Sequence, residues 1–220
     1  MSQARRQQQA RRRAASRRRL WLPIGLGAVL VIAAVIAIMV GGSSKSPAER
    51  TGVEETRPVQ TSGELPIYQG AGRPDTAVGQ TLPTIHGQSF NGTPVDIEPN
   101  GRRKVIIVAA HWCPHCQAEL PRLADQLRQH PAPADVDITV VTTDTTSTRP
   151  NYPPSEWLFS LGWSTPMLAD DEQGDAGRAL GVSSFPYFVV VDADGRIVSR
   201  TSGEIGAQAF AALIESSNKA

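Results

Sequence analysis

Two kinds of apolar pattern alternate along the C-terminal two thirds of the chain. Residues 105–110, 136–141 and 187–191 are nearly continuous apolar runs rich in β-branched side chains, which predict strands buried on both faces of a sheet. Between the first two runs, apolar residues recur at steps of three and four, which predicts an amphipathic helix with Pro121 inside it. That stripe consists of Leu120, Leu123, Ala124 and Leu127. The pattern predicts an α/β domain whose first two long strands are parallel.

Shorter patterns complete this domain. Residues 82–85 and 95–97 predict an N-terminal β-hairpin, and Asp194-Gly195 predicts a second hairpin after the third long strand. We expect a short strand at residues 166–168 and helices at residues 173–180 and 205–215. The segment 144–166 predicts a short helix and a loop. Its apolar residues form either a packing cluster or a substrate groove, and the default is packing; they are Trp157, Leu158, Phe159, Leu161 and Trp163.

The N-terminus has a different organisation. Residues 1–19 contain eight arginines and no acidic residue, and residues 20–40 carry no charge. Twenty-one residues span about 30 Å as a helix, which is the thickness of a bilayer core. We therefore predict a transmembrane anchor with a cytoplasmic Arg-rich tail and an extracytoplasmic C-terminal domain. A cleaved signal peptide and a basic nucleic-acid-binding arm are the alternatives. The apolar stretch is long for a signal peptide, and no clear Ala-x-Ala site follows it.

Composition changes again after the predicted anchor. Residues 41–74 are rich in Gly, Ser, Thr, Pro and Glu, and we predict a flexible linker with a reach of about 30 Å. The remaining residues, 75–220, are enough for one domain. Without the eight N-terminal arginines the chain has 14 basic and 21 acidic residues, a net charge of −7. This acidic balance argues against nucleic-acid binding.

The only two cysteines, Cys113 and Cys116, lie where the first long strand meets the helix. A helix N-terminus favours a thiolate over a thiol at Cys113. In such a Cys-x-x-Cys pair the first thiolate attacks a disulfide and the second closes on it to release the product. Pro114 suits the first helical turn, and His115 either tunes the thiolate or is only a solvated residue of that turn. We predict a redox-active cysteine pair that needs no other cofactor.

The order of these elements and motifs resembles the thioredoxin fold over roughly residues 77–217. Within it the chain is similar to membrane-anchored TlpA/ResA-type proteins, through segments 78–80, 82–83, 112–121 and 191–195. The resemblance implies extracytoplasmic thiol–disulfide exchange with exported proteins, and a membrane or soluble partner that resets the cysteines. It implies a cis-proline at Pro186 that docks substrate backbone, which makes Trp112 and Phe185 further substrate-binding candidates. It also implies an acid/base role for Glu119, whose alternative is a solvated residue paired with Arg122.

Two features depart from that pattern. Ile107 stands where cytoplasmic thioredoxins keep a buried aspartate, so Glu119 would have to serve as the proton acceptor. Cys-Pro-His-Cys resembles the active site of DsbA-type oxidases, whereas the surrounding domain resembles proteins that often act as reductants. Because the dipeptide most directly sets thiolate stability, we favour oxidation, with reduction as the alternative. A peroxiredoxin-like peroxidase fits less well, since its nucleophile would not need so close a second cysteine.

A metal-binding module is the hypothesis from a different class. Cys113 and Cys116, with His111 or His115, offer soft ligands suited to Cu(I) or Zn²⁺. A structural zinc site usually has four ligands, however, and only His130 follows downstream. We therefore expect no metal site.

Overall fold

The computed structural model of the chain describes residues 52–217, and the elements named here lie within that range. The strands are β1 (Gln60–Ser62), β2 (Thr84–Gln88), β3 (Pro94–Ile97), β4 (Arg103–Ala109), β5 (Val136–Thr142), β6 (Met167–Ala169), β7 (Tyr187–Val191) and β8 (Ile197–Ser202). The helices are α1 (Pro114–Gln129), α2 (Pro154–Ser160), α3 (Asp175–Ala179) and α4 (Gly206–Ser216). The long strands, the two hairpins and the helices predicted above are confirmed, with small shifts at their ends.

The sheet is mixed and has the order β1-β2-β6-β5-β4-β7-β8, with β3 paired to β2. Strand β4 is central, and all seven of its residues are buried. It runs parallel to β5 and antiparallel to β7. This explains why these three segments are almost entirely apolar: each is covered by helices or loops on both faces and by a strand on at least one side.

The alternation of β4 side chains divides the core into two layers. Val105, Ile107 and Ala109 pack with α1 and α4, while Ile106 and Val108 face the layer that contains α3. Burying each such Val or Ile contributes on the order of 1.5–3 kcal/mol. Ile107 thus occupies the position of the missing aspartate as an ordinary core residue, with 0% exposure.

Helix α1 begins where the sequence predicts it. Cys113 is the N-cap, with extended backbone angles (φ −71°, ψ 122°), and Pro114 occupies the first helical position. Pro114 needs no N–H there because the first turn has no intrahelical acceptors for it. The predicted apolar stripe is buried, and Pro121 lies inside the helix. The helix therefore presents one continuous apolar face to the sheet.

The linker prediction for residues 41–74 is wrong over part of its length. Within the described residues, β1 pairs with β2, and Leu65 and Tyr68 are 2% and 7% exposed. The backbone N–H groups of Leu65 and Tyr68 donate to Ala179 O (2.8 Å) and Gly181 O (2.9 Å). These bonds to the end of α3 and the turn after it satisfy backbone N–H groups of the irregular segment. The segment is therefore folded, although its polar composition predicts a flexible linker. Residues 41–51 of the predicted linker lie outside the described residues.

Gly181 is required at that contact. Its φ is +73°, and an added Cβ would lie 2.5 Å from Pro66 O and 2.6 Å from Arg200 Nη1. Only glycine tolerates both the left-handed backbone and the close approach. The turn that ends the α3 region is thus also the point where the N-terminal segment attaches.

The predicted Arg-rich tail and transmembrane anchor, residues 1–40, lie outside the described residues. In the range 52–217, none of the helices has the length and apolar character needed to cross a bilayer. The aromatic segment 144–166 is described, and there the packing interpretation is confirmed. Trp157, Leu158 and Trp163 are buried in the α1 side of the core, although Phe159 remains 57% exposed.

A buried ion pair fastens β8 to the segment before β2. Arg200, whose side chain is 1% exposed, donates from Nε to Asp75 Oδ2 (2.9 Å) and from Nη2 to Asp75 Oδ1 (2.5 Å). Its Nη1 donates to Pro66 O (2.8 Å). The hydrogen bonds from Arg200 hold the pKa of Asp75 below its usual range. Through its bond to Pro66 O, Arg200 also ties a residue of the mispredicted linker to the sheet.

We predict that Asp75→Asn destabilises the chain by about 3–5 kcal/mol at pH 7, because it leaves a buried guanidinium without its counter-charge. Urea denaturation of the full-length chain measures this. Since the pKa of Asp75 is lowered on folding, the wild-type advantage should be complete above about pH 5. It should disappear as the pH falls through the folded-state pKa, below the unfolded value of about 3.9.

Asp125→Asn is the matched control, because Asp125 pairs with Arg128 on the exposed side of α1. It should change stability by less than about 0.5 kcal/mol. Equal losses from the two variants would show that the Asp75–Arg200 pair does not fasten the fold.

Candidate active site

Cys113 and Cys116 lie together at the start of α1, directly after β4. Cys113 is 6% exposed and Cys116 is 0% exposed, and both are free thiols in this structure. The difference arises because Cys113 caps the helix, while Cys116 is one turn inside and faces the core. An incoming disulfide can reach only the first sulfur without opening the fold, as the sequence predicts for the attacking cysteine.

The Phe185-Pro186 segment faces Cys113 across the site. The antiparallel register pairs Val108 with Tyr187, so the end of β4 lies beside the start of β7. Cys113 Sγ donates to Phe185 O at 3.7 Å, and the Phe185–Pro186 peptide bond is cis, as predicted. The structure thus brings the predicted docking residues next to the nucleophile, although 72 positions separate Cys113 from Phe185.

Cys116 occupies an apolar position against the core. Burial raises the pKa of its thiol, and the nearby Cys113 and the Glu119 carboxylate add to that shift. Desolvation disfavours the charged form of any buried group. Cys116 is therefore a thiol near neutral pH and needs a proton acceptor before it can attack Cys113.

Trp112 forms one side of the site. Its indole Nε1–H donates to Asp144 O (2.9 Å). Its ring meets the Phe185 ring edge-on, with 6.3 Å between the ring centres, and the Arg149 guanidinium lies 4.8 Å from the centre of the Trp112 ring. These contacts fix the ring and join the motif to the loop of residues 143–153. Trp112 and Phe185 thus form a continuous aromatic edge beside Cys113, and their binding of substrate stays a prediction.

His111 is fully buried, and its ring holds the same loop in place through contacts at both nitrogens. Its Nδ1 lies 2.7 Å from Pro150 O, and Thr146 N donates to its Nε2 at 3.2 Å. A carbonyl oxygen can only accept and a backbone N–H can only donate, so Nδ1 carries the proton and the ring is neutral. Both ring nitrogens are occupied. Sequence reasoning considered His111 only as a metal ligand and missed this structural role.

Glu119 is buried, so the alternative of a solvated residue is wrong. Its Oε1 accepts hydrogen bonds from Ile205 N (3.0 Å) and Gly206 N (2.7 Å), the first N–H groups of α4. Arg122 lies 3.4 Å from Oε2, which is the predicted i, i+3 pair. A helix N-terminus favours a negative charge, which explains how a carboxylate is accommodated beside Cys116. The acid/base role of Glu119 stays a prediction.

His115 points away from the core, with 67% of its side chain exposed. Its Nδ1 lies 2.8 Å from Glu204 Oε1, and Arg122 lies 3.0 Å from the other oxygen, Glu204 Oε2. Bonds from His115 and then Arg122 lower the pKa of Glu204. Sequence reasoning did not find Glu204, because nothing in the local pattern near residue 204 connects it with a residue 89 positions earlier.

The comparisons with known proteins agree with this geometry. Residues 77–213 match the family model named Redoxin. The chain belongs to the Redoxin family. Among curated relatives, the thiol:disulfide interchange protein DsbE of Pasteurella multocida strain Pm70 is 30% identical over 114 residues, which cover 50% of this redoxin and 56% of DsbE. Tryparedoxin of Trypanosoma brucei brucei is 25% identical over 117 residues, which cover 52% of this chain and 74% of tryparedoxin.

Solved structures confirm the predicted thioredoxin-like fold. A DsbF homologue from Corynebacterium diphtheriae aligns with a TM-score of 0.56 and 17% identity, covering 70% of this redoxin and 99% of that chain. A thioredoxin-family thiol:disulfide interchange protein from Chlorobium tepidum TLS aligns with a TM-score of 0.51 and 16% identity. The alignment covers 62% of this redoxin and 94% of that chain. The family match and the curated relatives together support the prediction of a thiol–disulfide oxidoreductase.

A metal centre finds little support in the described part of the chain. Between residues 52 and 217, no three His, Cys, Asp or Glu side chains are grouped so that they could hold an ion. His111 already uses both ring nitrogens, and His115 is bonded to Glu204. A Cu(I) or Zn²⁺ ion held by His111 would require one of the two bonds of its ring to break.

We predict that Glu119→Ala destabilises this redoxin by about 1–3 kcal/mol, because it leaves two N–H groups at the start of α4 without an acceptor. Glu119→Gln retains an acceptor oxygen and should cost less than half as much. Urea denaturation of both variants makes the comparison. If Glu119→Ala is as stable as the wild type, the carboxylate does not cap α4.

Proposed function

We propose that this redoxin is a membrane-anchored, extracytoplasmic thiol–disulfide oxidoreductase that exchanges disulfides with exported proteins through Cys113 and Cys116. The observation that carries the proposal is the placement of Cys113 Sγ at the helix N-terminus and 3.7 Å from Phe185 O, with Cys116 buried behind it. This arrangement exposes one sulfur to a partner and reserves the other for release. The redox group is the cysteine pair itself, so no further cofactor is required.

In the reducing direction, Cys113 thiolate attacks one sulfur of a substrate disulfide. A mixed disulfide forms, and the second substrate sulfur leaves as a thiolate. Cys116 then loses its proton and attacks Cys113 Sγ, which forms the Cys113–Cys116 disulfide and releases the substrate as a dithiol. Two electrons pass to the substrate. In the oxidising direction the same steps run backwards, and the pair gives its disulfide to the substrate.

Glu119 is our candidate for the acceptor of the Cys116 proton. Its carboxylate is buried near that thiol, and it contributes to the raised pKa of Cys116. Ile107, on the sheet side of Cys116, has no acidic group that could accept the thiol proton. The acceptor must therefore lie on the side of α1 and α4, where Glu119 is. The bonds from Ile205 N and Gly206 N occupy Oε1, whereas Oε2 has only the long Arg122 contact at 3.4 Å and keeps a lone pair for a proton.

The substrate surface is proposed around Pro186, Phe185 and Trp112. A peptide backbone laid along the segment before β7 would place a substrate sulfur close to Cys113, because that segment faces the nucleophile directly. The exposed edges of Trp112 and Phe185 then contact substrate side chains. Another membrane or soluble thiol protein is needed to return the cysteine pair to its starting state after each cycle.

The direction of exchange depends on two opposing features. The Pro-His dipeptide between the two cysteines favours the oxidising direction, because a nearby histidine stabilises the reduced thiolate. The contact between His115 and Glu204 favours the reducing direction, since it binds the imidazole to a carboxylate. Oxidation of exported proteins is the function we favour from the motif, and reduction of their disulfides is the second candidate.

The proposed location follows from the first forty residues. Eight arginines before an uncharged stretch of membrane length place the N-terminus in the cytoplasm and the redoxin domain outside. That compartment permits disulfide exchange with exported proteins. Reaction of residues on each side of an intact membrane with an impermeant labelling reagent tests the topology.

We predict that Cys113→Ser abolishes exchange, because the attacking sulfur is lost. Cys116→Ser should instead accumulate mixed disulfides with substrates, since nothing then resolves them. Non-reducing electrophoresis of the full-length variants from membranes, with and without a reductant, shows the difference. Equal activity of both variants and the wild type would reject the assigned roles.

The reduction potential of the Cys113–Cys116 pair discriminates between the two directions. Equilibration of the full-length chain with glutathione buffers measures it. A value near about −120 mV, as in DsbA, fits a disulfide donor, and one near about −270 mV, as in thioredoxin, fits a reductant. A pair that forms no reversible disulfide would contradict the proposed function altogether.

A further inference from the structure

We propose that Glu204 is a positioning residue for the redox pair: it binds His115 at the surface and so limits the stabilisation that this histidine gives to the Cys113 thiolate. The inference rests on the proposed function and addresses its direction. Glu204 lies outside the Cys-x-x-Cys motif, in the turn between β8 and α4. It belongs to neither the substrate edge nor the core.

Each carboxylate oxygen of Glu204 contacts a different side chain of α1. Oε1 lies 2.8 Å from His115 Nδ1, and Oε2 lies 3.0 Å from Arg122 Nη1. His115 and Arg122 are both on α1, seven positions apart, so the carboxylate spans the exposed face of the helix. The Arg122 contact holds the carboxylate in place, and the hydrogen bonds from both partners keep Glu204 charged near neutral pH.

The neighbouring contacts explain why this placement matters for Cys113. The structure pairs Cys113 Sγ with Phe185 O and pairs the His115 ring with Glu204. A protonated imidazole stabilises a thiolate when its charge lies close and uncompensated. Here the negative charge of Glu204 lies against the imidazole, and the bond to Nδ1 directs the ring outward. The net favourable potential at the thiolate is therefore smaller than the dipeptide alone would give.

The groups that face His115 come from two elements. Glu204, from the turn before α4, contacts the ring itself, and Arg122 of α1 contacts the other oxygen of Glu204. Glu119 is linked to this set through Arg122, at 3.4 Å, but is itself buried and held by the start of α4. Glu204 is the member whose removal changes the surroundings of His115 without removing a contact from the core.

Removing Glu204 should make the pair more oxidising. The His115 ring is then free to turn toward Cys113, and the negative charge of Glu204 no longer lies beside it. Because 67% of the His115 side chain and 34% of the Glu204 side chain are exposed, solvent limits the size of the effect. We expect the equilibrium constant with glutathione to change by about three- to tenfold, and tenfold corresponds to about 30 mV for a two-electron couple.

The test is a double-mutant cycle on the reduction potential of the full-length chain. The four proteins are the wild type, Glu204→Gln, His115→Ala and the double variant, each equilibrated with glutathione at pH 7. We expect Glu204→Gln to shift the constant at least threefold toward the oxidant when His115 is present, and less than twofold when it is replaced by alanine. Glu204→Ala should repeat the result without the residual amide.

Asp125→Asn is the matched control for the loss of one negative charge from this region, since Asp125 is an exposed α1 residue paired with Arg128. It should leave the constant unchanged. The inference is overturned if Glu204→Gln has no effect, shifts the constant toward the reductant, or acts equally with and without His115. Equal action would assign the effect to the carboxylate charge itself or to the freed Arg122.

The wild-type titration separates this inference from the proposed function. A wild-type pair that does not titrate as a two-electron couple removes the proposed function, and the inference with it. A pair that titrates normally while the cycle shows no coupling between Glu204 and His115 leaves the proposed function intact and removes only the role of Glu204.

Discussion

The site depends on the antiparallel pairing of β4 with β7. The register that sets Val108 opposite Tyr187 brings the end of one strand to the start of the other. Cys113 follows the first strand and Phe185-Pro186 precede the second, so one set of backbone hydrogen bonds assembles nucleophile and docking segment. A shift of one residue would reverse every side chain of β7 between the two core layers. Because both strands are buried, their apolar side chains fix this register and with it the positions of Cys113 and Phe185.

The buried charges of this core are compensated by hydrogen bonds or by an opposite charge. Glu119 is buried beside Cys116, yet its carboxylate accepts the first two N–H groups of α4. Arg200 is buried beside β7, yet it is bonded to Asp75 and to the Pro66 carbonyl. A buried charge without such partners costs several kcal/mol. Each of these residues thus joins distant segments because only a particular fold can satisfy it.

On the exposed side of α1, charged side chains contact one another in solvent rather than in the core. There His115, Glu204 and Arg122 form a chain of opposite charges in contact with solvent. Such contacts contribute little to stability. In the proposed role of Glu204 they act on the Cys113 thiolate rather than on folding, because the charge on Cys113 changes during exchange. The same dipeptide can therefore support different redox behaviour on different scaffolds, according to what contacts its histidine.

The sequence by itself determined the α/β class, the cysteine helix and the position of the proline whose peptide bond is cis. These features follow from local patterns: apolar runs, a three-and-four stripe, and a proline before a buried strand. It did not reveal that residues 60–68 pack with the domain, because that segment is polar and takes its hydrogen bonds from the turn after α3. Only the tertiary structure decided the contacts of His111 and His115 and the bonds of Glu119 to the start of α4. Those contacts cross between 35 and 89 positions of sequence, and no local periodicity encodes a pairing between two polar side chains that far apart.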